Sequence, residues 1–393
     1  MASLTVKGTR DLLRAVSYRG VYTNGVFSFP QTQQLRGNTA RRSEKRYFSN
    51  SRTVNSADLD ITNNEKPKVL VTGCLGQLGM ALIKKMREKY GVENVIGSDI
   101  KVPTDEVLSD GPFVPLNVLD KEAIENEIVR NKVDVVVHLS AILSALGEKK
   151  PDIALRVNVS GFQNVLELAR KYNLKLFCPS TMGAFGPSTP RVNTPDLTVM
   201  RPTTIYGITK VHMELMGEYY NEKYGLDFRS LRYPGIISAD SAPGGGTTDY
   251  AVDIFHSALK SNSFVSFLNK DTSLPMMYLD DCIDGTMQFI EAPNKSLKQR
   301  VYNIHALTFS PQELAEGIQE QWSKDFKIHY NPDYRQAIAD TWPISLDDSI
   351  ARRDWKFDPK INTVASLVKI MFEKLQAQRI ASLDEPHRVY GSQ

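Results

Sequence analysis

The chain has 393 residues, 41% of them hydrophobic and 24% charged, an ordinary balance for a soluble globular protein of one large domain or two. No apolar run approaches the roughly 20 residues that cross a bilayer, which argues against a membrane protein. The net charge of +3 is concentrated at the start and the remainder is slightly acidic, which argues against nucleic acid as the main partner.

In the first stretch Lys7, Arg10, Arg14, Arg19, Arg36, Arg41, Arg42, Lys45, Arg46 and Arg52 stand against only Asp11 and Glu44. Within "TRDLLRAVSYRGVY", Leu12, Leu13 and Val16 gather on one side and the arginines largely on another. A segment rich in arginine and serine, poor in acids and without a continuous apolar core has the composition of a mitochondrial transit peptide. It predicts a mitochondrial matrix protein cleaved after "RRSEKRYF", near Ser49, and residues 1–66 are set apart from the fold. A disordered basic tail shares this composition. Cys74, Cys178 and Cys282 are odd in number and far apart, so no disulfide framework follows. The six histidines show no metal-ligand spacing with one another or with cysteine, which predicts no metal.

From Lys68 onward, apolar runs alternate with helical patterns. "KVLVTG" (68–73), "NVIGSD" (94–99), "VDVVVHLSA" (133–141), "LKLFCPST" (174–181) and "LDFRSLRYP" (226–234) read as strands. Between them lie helical patterns at 78–91, 120–132 and 151–173, and a helix carrying Tyr206. The strands are almost uniformly apolar, which predicts an α/β fold: a Rossmann-type, doubly wound parallel sheet covered on both faces. This sheet domain takes in 67–235. After Pro234 the alternation fades into a Gly/Ser/Pro loop and helical patterns near 249–260, 312–324 and 363–378, predicting a smaller C-terminal substrate-binding region over 236–380. Residues 381–393 read as a solvated tail.

The first strand runs into "TGCLGQLG", with Gly73, Gly76 and Gly79 between strand and helix. Glycines there permit a tight turn and a close backbone approach to pyrophosphate at a helix N-terminus. The spacing departs from G-x-G-x-x-G, so its position carries the reading. Asp99 ends the second strand, where a carboxylate would bond ribose hydroxyls and repel a 2′-phosphate, favouring NAD over NADP; Lys101 nearby pulls the other way. Ser180 and Thr181 close a strand at the end where such sheets bind ligands, although both residue types commonly cap turns. Asn158, inside a helix, fits a structural bridge and a site residue equally.

"TIYGITK" sets Lys210 one helical turn after Tyr206. Lowering a phenol from a pKa of about 10 to about 7 takes roughly 4 kcal/mol. One ammonium at about 4 Å supplies that much at an effective dielectric near 20. A lysine one turn away, with the positive ring of an oxidised nicotinamide, is a sufficient cause for a tyrosine base.

TGxxGxxG, the acidic end of the second strand, "HLSA", Asn158, Thr181 and Y-x-x-x-K together resemble the extended short-chain dehydrogenase/reductase family over 67–380. The longer strings "HLSAILSALGE", "PSTMGAFGP", "RPTTIYGITK" and "DTWPISLDDSIARRDW" resemble its threonine-oxidising members. The resemblance implies metal-free oxidation of L-threonine by NAD to L-2-amino-3-oxobutanoate. Tyr206 would be the general base, Lys210 would hold the nicotinamide ribose, Thr181 would bond the reacting oxygen, and Asn158 would complete the catalytic set. It implies cofactor contacts from Gly73, Gly76, Gln77, Leu78, Gly79, Asp99, Asn117, Val118, Leu139, Ser140, Ala141, Asn158, Tyr206, Lys210, Tyr233, Pro234 and Ile236. Substrate contacts fall on Ser144, Thr181, Gly183, Tyr206, Thr248 and Trp342, with "PGGGTTDY" as an active-site loop. The family further implies a homodimer and glycine C-acetyltransferase as the next enzyme. Rival readings are a nucleotide-sugar epimerase or dehydratase of the same fold and a non-catalytic NAD-sensing protein.

Overall fold

The structure, a computed structural model, describes residues 66–240 and 246–384. The proposed transit segment with its cleavage point, the first part of the glycine-rich loop and the last nine residues lie outside the described residues. The main sheet takes β1 (Val69–Thr72), β2 (Val95–Asp99), β3 (Phe113–Pro115), β4 (Val135–His138), β5 (Lys175–Phe177), β6 (Ser180–Thr181) and β7 (Phe228–Tyr233). Three further strands, β8 (Gly235–Ile237), β9 (Ser263–Ser266) and β10 (Leu274–Tyr278), precede β11 (Val301–Asn303), which returns to its edge. The order is β3-β2-β1-β4-β5-β7-β11, every pairing parallel, with β6 beside the end of β7. This is the strand order of a dinucleotide-binding sheet.

Every residue of β1, β2, β4, β5 and β7 is buried, as a parallel sheet covered on both faces requires. The helices that follow the strands are α1 (Gln77–Tyr90), α2 (Asp105–Ser109), α3 (Lys121–Asn131), α4 (Ser144–Lys149), α5 (Pro151–Leu155), α6 (Phe162–Tyr172), α7 (Ile205–Tyr224), α8 (Tyr250–Ser261) and α9 (Leu279–Glu291). On one face Leu82 and Met86 of α1 and Ile283, Met287 and Phe289 of α9 pack on Val69, Val71 and Leu231. On the other, Ile124 of α3, Val165 and Leu166 of α6 and Met213 of α7 pack on Leu70, Val136 and Phe228. Two buried cations fasten α9 to the sheet. Arg229 Nη1 donates to the carbonyls of Phe289, Ile290 and Ala292 at 2.7, 3.1 and 2.7 Å, and Lys175 Nζ to that of Ile290 at 2.9 Å. They satisfy orphan acceptors at the negative end of the helix.

Three features depart from the sequence-based expectation. The three-residue β3 ends in proline at the sheet edge, too short for periodicity to register. The helix expected over 151–173 is continuous, but Arg156–Gly161 forms a π-helical turn between α5 and α6. The alternation also does not stop at Pro234. β8 and β10 pair in parallel, β12 (Leu307–Phe309) adds antiparallel to β10, and β13 (Lys327–Tyr330) pairs with β9. These pack with α8, α10 (Pro311–Gln321) and α13 (Val364–Asp384) around a second core of Tyr250, Phe255, Phe309, Leu314 and Phe372. α11 (Tyr334–Ala339) and α12 (Ser349–Trp355) complete the chain, and α13 runs to Asp384, past the 363–378 pattern.

α7 lies so close to β7 that a Cβ on Gly217 would sit 2.2 Å from the buried ring of Phe228. Gly217→Ala therefore loses about 1–3 kcal/mol to overpacking, which outweighs the gain of about 1 kcal/mol in helix propensity. Thermal unfolding of the variant should show a lower midpoint than the unmodified chain.

Candidate active site

Thr204 starts α7: its side-chain oxygen accepts the N–H of Gly207 at 3.1 Å. Tyr206, Lys210 and Glu214 then follow at four-residue intervals, one above another on a single face. That face meets the strand end 179–181. A Cβ on Gly207 would lie 2.2 Å from the carbonyl oxygen of Gly183, so only glycine permits the approach. Lys210 Nζ donates to the carbonyl of Pro179 at 2.6 Å and lies 5.7 Å from the centroid of the Tyr206 ring. The Tyr206 phenol lies near enough to the Thr181 side chain for that hydroxyl to draw its pKa down, and Thr181 Oγ1 accepts the N–H of Gly183 at 3.1 Å.

Burial pushes the Tyr206 phenol up to about 12, with the Thr181 bond pulling the other way. Burial also draws Lys210 down to about 8, opposed by Cys178 and Glu214. The protein's own groups therefore do not produce the depressed phenol that the spacing predicts. The lysine directs its hydrogen bond to a backbone carbonyl, and desolvation of the phenol outweighs the Thr181 contribution. His138 at the end of β4 bonds Thr72 through Nδ1 at 2.8 Å. Burial and then the Lys210 charge hold it neutral, down to about 3.

Asn158 has a definite place. Its Oδ1 accepts the N–H of Ile142 at 2.8 Å, and its Nδ2 donates to the Ile142 carbonyl at 2.9 Å and to Thr209 Oγ1 at 3.1 Å. Thr209 in turn donates to the carbonyl of Tyr206 at 2.8 Å. The amide thus ties the loop after β4 to the first turn of α7. With His138, Ser140, Ala141 and Lys210 it lines a cavity of about 10 Å³.

The glycine turn has the shape of a dinucleotide-binding turn. Gly73 has φ +72°, and a Cβ on it would strike Ser140 N at 2.7 Å and Leu139 C at 2.9 Å. On Gly79 a Cβ would meet Cys74 at 2.6 Å, which fixes helix against strand. Gly76 is the N-cap of α1, and no side chain caps or charges the first turn that begins with Gln77 and Leu78. Its donors suit a phosphate. Asp99 accepts the N–H of Leu75 and of Lys101, both at 3.0 Å, so its carboxylate borders the turn. Asn117 is exposed and its Oδ1 accepts from Leu119 N at 3.0 Å, while the neighbouring Val118 packs against Gly161 of the π-helical turn. These are features that an adenine dinucleotide fits.

On the substrate side, the Trp342 indole lies 3.9 Å from where a Gly183 Cβ would stand, which brings this pair together beside Thr181. Ser144 opens α4 and is half-buried, and Thr248 packs against Gly235 at the start of β8. Ile236 is half-buried and Pro234 buried between β7 and β8. Tyr233 lies opposite Thr181 in the sheet register, but its hydroxyl pairs with Thr286 of α9 at 2.6 Å, so its backbone is what faces the strand end. Sequence reasoning missed Glu214, Arg232 and Asn303. Glu214 continues the four-residue series of Tyr206 and Lys210, a signal that was present. Among the described residues no group of His, Cys, Asp and Glu could hold a metal ion, and no helix is long and apolar enough to cross a membrane.

Comparison with known proteins agrees with this geometry. The NAD dependent epimerase/dehydratase family model matches residues 69–304, from the first strand through β11. The chain is 54% identical over 291 residues to mitochondrial L-threonine 3-dehydrogenase of Sus scrofa, covering 74% of this chain and 78% of that protein. The Bos taurus counterpart is 53% identical over 292 residues, with the same coverage. Among solved structures, L-threonine dehydrogenase from Phytophthora infestans superposes with a TM-score of 0.76 at 51% identity, covering 79% of this chain and 99% of that one. The glycine turn, the strand order and the Tyr206–Lys210 face are thus those of a chain that belongs to the NAD dependent epimerase/dehydratase family.

Proposed function

We propose that the chain oxidises L-threonine with NAD to L-2-amino-3-oxobutanoate. The observation that carries this reading is the meeting of the Tyr206 and Thr181 hydroxyls beside Lys210, at the sheet end that also holds the glycine turn. The threonine dehydrogenases among its relatives supply the substrate. Thr181 holds the β-hydroxyl of threonine against Tyr206, and Tyr206 takes its proton. Bound NAD supplies nicotinamide C4 as the acceptor of the hydride that leaves the β-carbon, and its ring charge favours the phenolate. Lys210 holds the nicotinamide ribose. Asp99 would bond the adenine-side ribose, Gln77 and Leu78 would offer backbone donors to the pyrophosphate, and Gly76, whose own N–H bonds the Gly73 carbonyl, would let it approach closely. Trp342, Gly183, Ser144 and Thr248 enclose the amino acid, and Asn158 keeps the first turn of α7 in place.

Ile208, Leu215 and Tyr219 form an apolar stripe on the outer side of α7, 49%, 55% and 45% exposed, with Leu146 of α4 (46%) also exposed. They support a homodimer, and sedimentation of Leu215→Asp should then report a monomer. The basic first stretch and the mitochondrial names of the mammalian relatives support the matrix as location. The ketone product suits glycine C-acetyltransferase as the next enzyme.

The function is tested by NADH formation with L-threonine and with UDP-glucose. Threonine should turn over and the sugar nucleotide should not; the reverse would assign a sugar-nucleotide enzyme. Tyr206→Phe should lower kcat on the order of 10²–10⁴-fold with NAD binding retained. Asp99→Ala should raise KM for NAD about tenfold and narrow the preference over NADP, because a charge-assisted pair of ribose bonds is lost. In the chain alone Lys210, at about 8, loses its proton before Tyr206, at about 12; with NAD bound the ring charge would bring Tyr206 below Lys210, so activity should rise with pH as Tyr206 ionises and fall where Lys210 loses its proton.

A further inference from the structure

We propose that Glu214 is a positioning residue of the reaction, whose buried carboxylate rivets the strand end carrying Thr181 to the helix carrying Tyr206 and Lys210. The inference rests on the reading of Tyr206 as the base. Three successive residues of the strand end meet three turns of α7. The Pro179 carbonyl takes Lys210 Nζ, the Ser180 hydroxyl donates to Glu214 Oε1, and the Thr181 hydroxyl meets Tyr206. β6 has only two residues, and its ladder to β7 pairs Ser180 with Arg232 and Thr181 with Tyr233. A strand that short holds its register weakly without side-chain help. Arg232 gives that help from the same register position: Nε donates to Glu214 Oε1 at 3.0 Å and Nη2 to Oε2 at 2.9 Å. Its Nη1 continues to the Asp196 carbonyl at 2.7 Å and Asn303 Oδ1 at 3.2 Å. Ser180, Glu214 and Arg232 are all at most 3% exposed, so the carboxylate touches no substrate and acts through what it holds.

The same carboxylate acts on charge. The Lys210 ammonium faces Tyr206 and Glu214 on α7, His138 at the end of β4, and Cys178 with the Pro179 carbonyl after β5. His138 is held neutral, and burial pushes the Cys178 thiol far up. Glu214 is therefore the anion among these described groups that keeps Lys210 protonated. Removing its charge lets Lys210 deprotonate at lower pH; in the NAD-loaded chain, where the ring charge would bring Tyr206 below Lys210, Tyr206 then loses its cationic neighbour and ionises at higher pH. Loss of a direct Glu214–Tyr206 repulsion would shift Tyr206 the other way, so the direction of the shift identifies the route.

The test uses the NAD-loaded full chain, Glu214→Gln and Ser180→Ala. Tyr206 ionisation is read from tyrosinate absorbance as a difference against Tyr206→Phe, which needs no substrate. In Glu214→Gln, Tyr206 should ionise at higher pH, and the alkaline limb of threonine oxidation should move down by about one pH unit. Ser180→Ala keeps the ion pair and removes only the tie to the strand. Its kcat should fall on the order of 10- to 100-fold with the pH limbs unmoved. If Glu214→Gln does not fold, Ser180→Ala decides by its kcat. If the unmodified chain forms no NADH from threonine, the functional reading fails and the tyrosinate titration still decides this one. The proposal is overturned if folded Glu214→Gln titrates Tyr206 at or below the unmodified pH, or if Ser180→Ala turns over threonine at the unmodified rate.

Discussion

A parallel sheet buried on both faces leaves its strand ends open, and the candidate site residues collect at one of the two ends. Thr72, Asp99, His138 and Thr181 close neighbouring strands, so sheet register alone brings the cofactor turn within reach of the hydroxyl pair. The helices serve the same constraint. α1 must approach β1 closely enough to aim its first turn at a phosphate, and α7 must approach the strand end closely enough for Tyr206 to meet Thr181. Gly79 and Gly207 are where each approach is made.

That crowding has an electrostatic effect. Desolvation of the half-buried Tyr206 pushes its phenol up to about 12, so the chain's own groups oppose its ionisation. A single lysine whose hydrogen bond goes elsewhere does not reverse this. A positive ring beside Tyr206, such as that of an oxidised nicotinamide, would favour the ionisation that the chain's own groups oppose.

Local features were legible before the structure. The glycine turn, the Asp99 strand end and the Tyr206–Lys210 face all depend on spacings of a few residues, and those survive any tertiary arrangement. Features that join distant segments were not legible. Nothing near Ser180 in the chain points to Glu214, 34 residues on, and nothing near Asn158 announces a bond to Ile142. The edge strand β3 was hidden by its length. β11 was hidden because it lies beyond a region where two small sheets interrupt the helical rhythm, and only long-range pairing with β7 returns it to the main sheet.

The π-helical turn at Arg156–Gly161 has a consequence for how this region can change over evolutionary time. A π turn is an α-helix carrying one surplus residue, and losing that residue would restore the regular ladder. Everything on one side of the deletion would then rotate by about 100° relative to the other. Asn158 would swing away from Ile142 and Thr209, or Gly161 away from Val118. A one-residue gap here would therefore mark a descendant in which the loop after β4 is held by other means.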